Sequence, residues 1–163
     1  TAQFGTIRLW DTNTGWAASN TAPGVYNWTS FDSWLSIAQA HGMASALYTF
    51  GKTPRWASSS PNATCDYGPG LCAAPIDLNA DGTGTDQRWK NFVLAIATHA
   101  AGRVKYWEMW NEPNITTRWT GTMAQLVRMS VDARSIILSL DPSAVLLTPA
   151  PAKGLSGTAN WSG

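Results

Sequence analysis

Short apolar runs and amphipathic stretches alternate along this chain, and this alternation is the feature that most limits what it can fold into. The apolar runs predict four β-strands, at residues 6–10, 44–50, 104–110 and 144–148. Each interval between two runs contains a segment whose apolar residues recur every three or four positions, which predicts an α-helix. The alternation therefore predicts an α/β fold with a parallel sheet covered by helices.

Local signals indicate where the three helices begin and end. Thr29 with Asp32, and Thr122 with Gln125, have the capping-box spacing found at helix starts. The middle helix carries its apolar stripe over residues 89–100. We expect the helices to end at Gly42, at Gly102 and at the Asp141-Pro142 pair.

The connections between these elements are unequal in length. Long segments rich in Gly and Trp follow the first two predicted strands, at residues 11–27 and 51–85, whereas the helix-to-strand turns are short. Connections longer than about 15 residues are usually functional or disordered. We therefore expect the functional site at the C-terminal ends of the strands, where (β/α)8 barrels and open α/β sheets both place their sites.

Composition limits the partners of the chain. The formal net charge is +1 and only 13% of the residues are charged, so nothing favours nucleic acid as a partner. No apolar run reaches the ~18 residues that a membrane span needs. The ten tryptophans are an excess, and their flat faces can pack against sugar rings. A neutral substrate is therefore expected, and for any one Trp core packing is the first expectation and sugar stacking the alternative.

Two cysteines, Cys65 and Cys72, lie in the second long loop. Such a pair can close a surface loop in an oxidising compartment, so we predict a disulfide, with two free thiols as the alternative. A disulfide would make the protein secreted or periplasmic, with an N-terminal leader removed.

No metal or cofactor is expected. Residues 77–82 match the start of a calcium-binding loop, but its twelfth position is Arg88 instead of the required Glu. A turn-rich approach to the following helix is the preferred interpretation. His41 and His99 lie near predicted helix ends, where a positive charge complements the helix dipole, and neither has a second ligand at metal spacing.

The densest chemical signal is the third predicted strand and its end, Trp-Glu-Met-Trp-Asn-Glu-Pro at residues 107–113. Glu112 follows the strand at the point where the sheet opens to solvent, and Pro113 prevents the strand from continuing. Apolar surroundings supplied by nearby Trp side chains would keep such an acid protonated, as proton donation to a glycosidic oxygen requires.

This motif resembles the fourth-strand motif of the retaining clan A glycoside hydrolases. Residues 7–11, Ile-Arg-Leu-Trp-Asp, look like the second strand of that clan, and residues 50–58 look like the exit of its third strand. The Thr-Pro-x-Trp-Ala-Ser element within 50–58 resembles the β-xylosidase and α-iduronidase-like families. The resemblance implies that residues 1–163 are one partial catalytic (β/α)8 barrel domain, about half of a barrel, truncated at both ends.

The resemblance also implies roles for individual residues. Glu112 would be the catalytic acid/base, Asn111 would bind the sugar 2-hydroxyl, and Arg8 would lie beneath the nucleophile. The nucleophile, a Glu on the seventh strand of that clan, would lie beyond these 163 residues. Since the open sheet edges of such a piece lack partners, we expect it to be poorly stable and inactive alone.

Geometry argues against Glu108 as the partner carboxylate. Four residues along a strand span about 13 Å at ~3.3 Å per residue, whereas the two carboxylates of a retaining enzyme lie ~5–5.5 Å apart. Glu108 lies on the same strand face as Glu112 but deeper, so we predict a structural ion pair for it, with Arg8 as the candidate partner.

The remaining candidate substrate contacts come from strand ends. Trp10, Trp56 and Trp110 are predicted to stack on sugar rings, and Asp11 to touch substrate, with loop capping as its alternative. Trp34 and Trp89 lie on helical apolar stripes and are predicted to be core, and the sequence leaves Trp16, Trp107 and Trp119 open.

Two other functions stay open. A non-catalytic carbohydrate-binding protein could keep the Trp-lined cleft without a second acid. An α/β domain of another function could contain Asn-Glu-Pro by coincidence, although three ordered motif matches argue against it.

Overall fold

The computed structural model describes residues 4–153. Its helices are α1 (Trp16–Ser19), α2 (Thr29–Ala40), α3 (Gln87–Ala100) and α4 (Met123–Leu140). Its strands are β1 (Thr6–Leu9), β2 (Asn20–Ala22), β3 (Val25–Tyr26), β4 (Ser45–Thr49), β5 (Tyr106–Glu108) and β6 (Val145–Leu147). These elements include the four strands and three long helices predicted from the sequence.

Four strands form a parallel sheet in the order β1-β4-β5-β6. Helices α2, α3 and α4 connect neighbouring strands in turn, which is the repeating unit of a (β/α)8 barrel. The prediction of a partial barrel is therefore confirmed. The third strand is shorter than predicted, and it cannot extend through Trp110 because a φ of 80° there takes the backbone out of the extended region.

The core lies between the sheet and the helices and is rich in aromatic rings. Tyr48, Phe50 and Trp107 point from the sheet towards Trp89 and Phe92 of α3, with ring centroids of adjacent pairs 5.0–6.4 Å apart. The Trp89 indole N–H also donates to the Met129 carbonyl oxygen of α4 at 2.8 Å. Trp89 is thus a core residue, as predicted.

The two predicted capping boxes have different outcomes. At α4, the Thr122 hydroxyl accepts from the Gln125 amide at 3.1 Å and the Gln125 side chain accepts from the Thr122 amide at 2.9 Å. At α2 the prediction is wrong, since Thr29 is already helical and the residue before it is Trp28. Asp32 instead accepts from His99 of α3 at 2.9 Å, so a contact between helices replaces the local cap.

The segment after β1 is more ordered than predicted. Residues 11–27 were expected to form a loop without regular structure, but they contain the one-turn helix α1 and an antiparallel hairpin of β2 and β3. Gly24 forms the hairpin turn with a φ of 73°. The Pro23-Gly24 pair is the sequence signal for this turn.

Asp77 caps helix α3 from a distance. Its Oδ2 accepts from the backbone amides of Gln87 and Arg88 at 2.7 and 3.2 Å and from the Thr85 hydroxyl at 3.0 Å. The calcium-loop-like residues thus serve the approach to this helix. Among residues 4–153, no three His, Cys, Asp or Glu side chains lie together as metal ligands would.

None of the helices within residues 4–153 combines the length and the apolar character that crossing a membrane requires.

Candidate active site

The backbone that follows β5 turns twice into the left-handed region. Trp110 has a φ of 80° and Glu112 a φ of 48°, on either side of Asn111. Each non-glycine residue in this conformation costs about 1–3 kcal/mol, and such residues concentrate at functional sites. This backbone places the Asn111 and Glu112 side chains at the C-terminal ends of the sheet strands, which we call the mouth.

A polar cluster lies just below the mouth. Oε2 of buried Glu108 accepts from Arg8 Nη2 at 2.6 Å and from the Thr49 hydroxyl at 2.6 Å. Arg8 Nη2 also donates to Asn111 Oδ1 at 2.8 Å. The predicted ion pair between Arg8 and Glu108 is confirmed, and it connects β1 and β5 to the base of the site.

Asn111 and Glu112 are in direct contact. Asn111 is 8% exposed, and its Nδ2 lies 3.2 Å from Glu112 Oε2. The Glu112 side chain is 30% exposed. A carboxylate and an amide therefore share the rim of the sheet, with the carboxylate open to an approaching molecule.

The surroundings of Glu112 differ from those predicted. Its Oε2 forms an ion pair with Arg118, and Arg118 Nε donates to Asp66 Oδ2 at 3.0 Å. The expected apolar ring of tryptophans does not form, because Trp110 and Trp119 pack against each other with centroids 4.7 Å apart. Arg118 follows Glu112 by six residues, and nothing in that spacing indicated the contact.

The predicted disulfide between Cys65 and Cys72 is present, and the loop that it closes reaches the site. The Tyr67 hydroxyl donates to the Asn111 carbonyl oxygen at 2.9 Å, and the Asn111 Nδ2 lies 3.3 Å from the same hydroxyl. Burial raises the pKa of Tyr67 to about 12, against the opposing hydrogen bond from Asn111. The hydroxyl therefore stays protonated and can donate.

Trp10 lies at the mouth with an aromatic and a basic neighbour. Its ring meets that of Tyr67 at a centroid distance of 5.2 Å, and Lys52 Nζ lies 4.6 Å from its centroid. Lys52 also donates to Asp11, whose side chain is 81% exposed, at 3.2 Å. Trp10 and Asp11 are thus brought to one side of the mouth, together with Lys52 and Tyr67, for which the sequence offered no signal.

Two predicted sugar-stacking residues are placed elsewhere. Trp110 is 1% exposed and its indole N–H donates to the Arg118 carbonyl oxygen at 3.0 Å, so the prediction for Trp110 is wrong. Trp56 donates to the Asn20 carbonyl oxygen at 2.9 Å and lines a cleft of about 400 Å³ beside the β2–β3 hairpin. Its neighbours there are Tyr26, Asn91 and other residues near the start of α3, not the Glu112 group.

The other tryptophans among residues 4–153 belong mainly to the core. Trp34 is half-buried rather than fully buried, and its indole N–H donates to the Thr12 carbonyl oxygen at 3.1 Å. The three that the sequence left open are buried, namely Trp16, Trp107 and Trp119.

Comparison with known proteins identifies the fold. No protein-family model and no curated protein sequence matches this chain. A glucosidase from Croceicoccus marinus matches 91% of the chain with a TM-score of 0.65 and 19% identity. Xylanase XynB from Paenibacillus barcinonensis matches 88% of the chain with a TM-score of 0.56 and 15% identity. Xylanase 10B from Thermotoga maritima matches 89% of the chain with a TM-score of 0.57 and 16% identity.

These matches also show how much of such a barrel is present. The chain spans 31% of the glucosidase and 41% of each of these two xylanases. At this identity the likeness shows the fold alone, a part of a (β/α)8 barrel, and points to no single family.

Proposed function

We propose that this chain is the part of a retaining glycoside hydrolase that carries the acid/base carboxylate, Glu112. The observation that carries the proposal is the contact between Asn111 and Glu112 at the mouth, 3.2 Å apart, with the carboxylate partly open to solvent. The glucosidase and xylanase folds of the neighbours support a carbohydrate as substrate. The nucleophile would be an acidic residue outside these 163 residues.

In this proposal Glu112 acts twice. It first donates its proton to the departing glycosidic oxygen while the second carboxylate attacks the anomeric carbon. It then removes a proton from the water that hydrolyses the glycosyl-enzyme, so the configuration is retained. Arg118 contacts the Glu112 carboxylate at the mouth and fixes its direction.

Asn111 would hold the sugar 2-hydroxyl. This contact strengthens in the oxocarbenium-like transition state, so it favours the reaction more than it favours substrate binding. Glu108 is unsuited to the role of partner acid because Arg8 and Thr49 already occupy its carboxylate.

Replacement of Glu112 in the full-length protein tests the proposal. Glu112→Ala should lower turnover of glycosides with poor leaving groups about 10²- to 10⁴-fold, since these depend on proton donation. Activated dinitrophenyl glycosides should keep much of their rate in the first step. Azide should restore the second step and give a glycosyl azide, detectable by mass spectrometry.

Asp141→Asn is a suitable control, because this acid lies in the α4–β6 turn, at the other end of the sheet. It should leave both substrate classes unaffected. An equal loss on poor and activated substrates in Glu112→Ala, without azide rescue, would contradict the acid/base role.

One observation favours a second function, a non-catalytic carbohydrate-binding protein. Glu112 is held in an ion pair with Arg118, an arrangement that suits a fixed hydrogen-bond acceptor for sugar hydroxyls. Calorimetry with oligosaccharides in the absence of any hydrolysis by the full-length protein would identify this function instead.

The Cys65–Cys72 disulfide supports a site of action outside the cytoplasm, secreted or periplasmic, because such bonds persist in oxidising compartments.

A further inference from the structure

We propose that the disulfide-closed loop Cys65–Cys72 is a positioning element of the candidate active site, with Tyr67 orienting Asn111 and Asp66 orienting Glu112 through Arg118. This inference rests on the proposed function and adds to it the residues that align its two principal side chains. It concerns a part of the chain outside the sheet and its helices.

Tyr67 contacts Asn111 in two ways. Its hydroxyl donates to the Asn111 backbone carbonyl oxygen at 2.9 Å and can accept from the Asn111 side-chain amide at 3.3 Å. On the other side of that amide, Arg8 donates to Asn111 Oδ1 at 2.8 Å. Arg8 and Tyr67 thus hold the amide from opposite ends, which leaves one orientation for the NH2 group that faces Glu112.

Asp66 acts on Glu112 through the guanidinium of Arg118. Its Oδ2 accepts from Arg118 Nε at 3.0 Å, and another nitrogen of the same guanidinium pairs with Glu112. Because the guanidinium is planar and rigid, fixing one edge of it fixes the direction of the other. The hydrogen bond to Asp66 also raises the pKa of Arg118, which keeps the cation charged.

The loop is anchored to the segment that follows Glu112. The Asp66 amide donates to the Thr117 carbonyl oxygen at 3.0 Å, and the Thr120 amide donates to the Cys72 carbonyl oxygen at 2.9 Å. The disulfide joins these two anchored ends. Tyr67 and Asp66 are therefore held on a short closed loop whose two ends both contact residues 117–120.

A cycle of variants and substrates tests the role of Tyr67. The substrates are 4-nitrophenyl β-D-glucopyranoside or β-D-xylopyranoside, whichever the full-length protein hydrolyses, and the matching 2-deoxy glycoside. Tyr67→Phe should lower kcat/KM for the 2-hydroxy substrate about five- to tenfold, mainly in kcat, as expected for loss of one hydrogen bond to a buried group. The 2-deoxy substrate, which lacks the group that Asn111 would hold, should change less than about twofold.

Two further variants separate positioning from folding. In an Asn111→Ala background, Tyr67→Phe should have no additional effect, because the residue that it orients is gone. Tyr106→Phe is the matched control. Tyr106 lies on β5, two residues before Glu108, and its hydroxyl forms no hydrogen bond with any residue in the range 4–153. Equal losses on both substrates in Tyr67→Phe would overturn the proposal.

A crystallographic comparison decides the matter independently of activity. In Tyr67→Phe, the Asn111 amide should rotate and its 3.2 Å contact with Glu112 should lengthen. An unchanged Asn111 would overturn the inference even in an active enzyme. Failure of the wild-type protein to hydrolyse any glycoside would reject the proposed function, while the crystal structures would still test the positioning.

Removal of the disulfide tests whether closure of the loop is needed for positioning. Cys65→Ser with Cys72→Ser should reproduce the pattern of Tyr67→Phe, with the larger loss on the 2-hydroxy substrate. Wild-type kinetics in this double variant would show that closure of the loop is not needed for positioning.

Discussion

Arg8 Nη2 lies 2.6 Å from Glu108 Oε2, although 100 residues separate the two in sequence. Thr49, on the strand between theirs, donates to the same carboxylate oxygen at 2.6 Å. One carboxylate therefore connects β1, β4 and β5 inside the sheet, immediately beneath the candidate catalytic residues.

Loss of this pair should destabilise the full-length protein. Arg8→Met leaves a buried carboxylate with only the Thr49 hydroxyl, which should reduce the free energy of unfolding by about 1–3 kcal/mol, towards the lower end because Arg8 is partly exposed. Urea denaturation measures the change. Arg8→Met with Glu108→Gln should lose less than the sum of the single variants, and strict additivity would show that the two residues are not coupled.

Asp86 should make the stability of the fold depend on pH. Its side chain is 0% exposed, no hydrogen-bond donor within residues 4–153 reaches either oxygen, and burial together with the nearby carboxyl of Asp132 raises its pKa to about 8. Asp77 adds to this rise and Arg128 opposes it.

Because the folded state binds a proton on Asp86 more tightly than the unfolded chain does, this group stabilises the fold fully below about pH 4 and loses that effect as the pH rises through about 8. Asp86→Asn should remove this dependence and raise the melting temperature at pH 8.5 more than at pH 5. A melting temperature that shifts equally at both values would contradict the assignment.

Asp77 should show the opposite dependence. Burial alone would raise its pKa, but hydrogen bonds from the Arg88 amide, the Thr85 hydroxyl and the Gln87 amide more than offset burial, so the pKa is lowered. Its stabilising effect is present above the ordinary carboxyl pKa and is lost as the pH falls through the lowered value.

Asp77→Ala removes the cap of α3 and should cost about 1–2 kcal/mol at pH 7, measured by urea denaturation. Asp81→Ala is the matched control, because the side-chain contacts of this exposed acid are to its neighbour Thr83. Similar losses in the two variants would argue against capping by Asp77.

Trp10 and Trp110 should respond differently to substitution. Trp10→Ala should raise KM about fivefold, the effect expected from loss of an aromatic contact worth about 1 kcal/mol, with little change in kcat. Trp110→Phe should instead lower the free energy of unfolding by about 1–3 kcal/mol, since the Arg118 carbonyl oxygen loses its donor. Kinetics and denaturation on both variants separate the two roles.

A substitution at Gly51 tests the placement of Trp10 from the backbone side. A Cβ at this position would lie 2.8 Å from the Trp10 ring, and the φ of 154° is unfavourable for other residues. Gly51→Ala should therefore displace the ring and raise KM as Trp10→Ala does. A crystal structure of Gly51→Ala with Trp10 unmoved would contradict this.

Sequence patterns predicted those features that depend on local periodicity. Strand and helix alternation predicted the parallel sheet covered by helices, and the motif resemblance implied the partial barrel. The alternation of side chains along β5 placed Glu108 on the interior face, within reach of Arg8. The alternation of side chains between the two faces of a strand holds as long as the backbone stays extended.

The errors arose where the backbone leaves regular geometry. Trp110 was predicted to face substrate from its position at a strand end, but its left-handed φ turns the ring into the protein. Tyr67 and Arg118 reach Asn111 and Glu112 from irregular segments, whose conformations depend on a disulfide and on tertiary contacts that no local pattern reports. The long loop did indicate function, but not which of its residues provides it.

The two left-handed residues around Asn111 have a consequence for how the site tolerates change. In an extended strand, adjacent side chains would diverge to opposite faces, yet Asn111 and Glu112 converge. The main chain therefore brings the two side chains to one side, and the Cys65–Cys72 loop then fixes their orientations through Tyr67 and Arg118. A shift of the β5 exit would carry amide and carboxylate together, but their mutual alignment would last only if the loop moved with them.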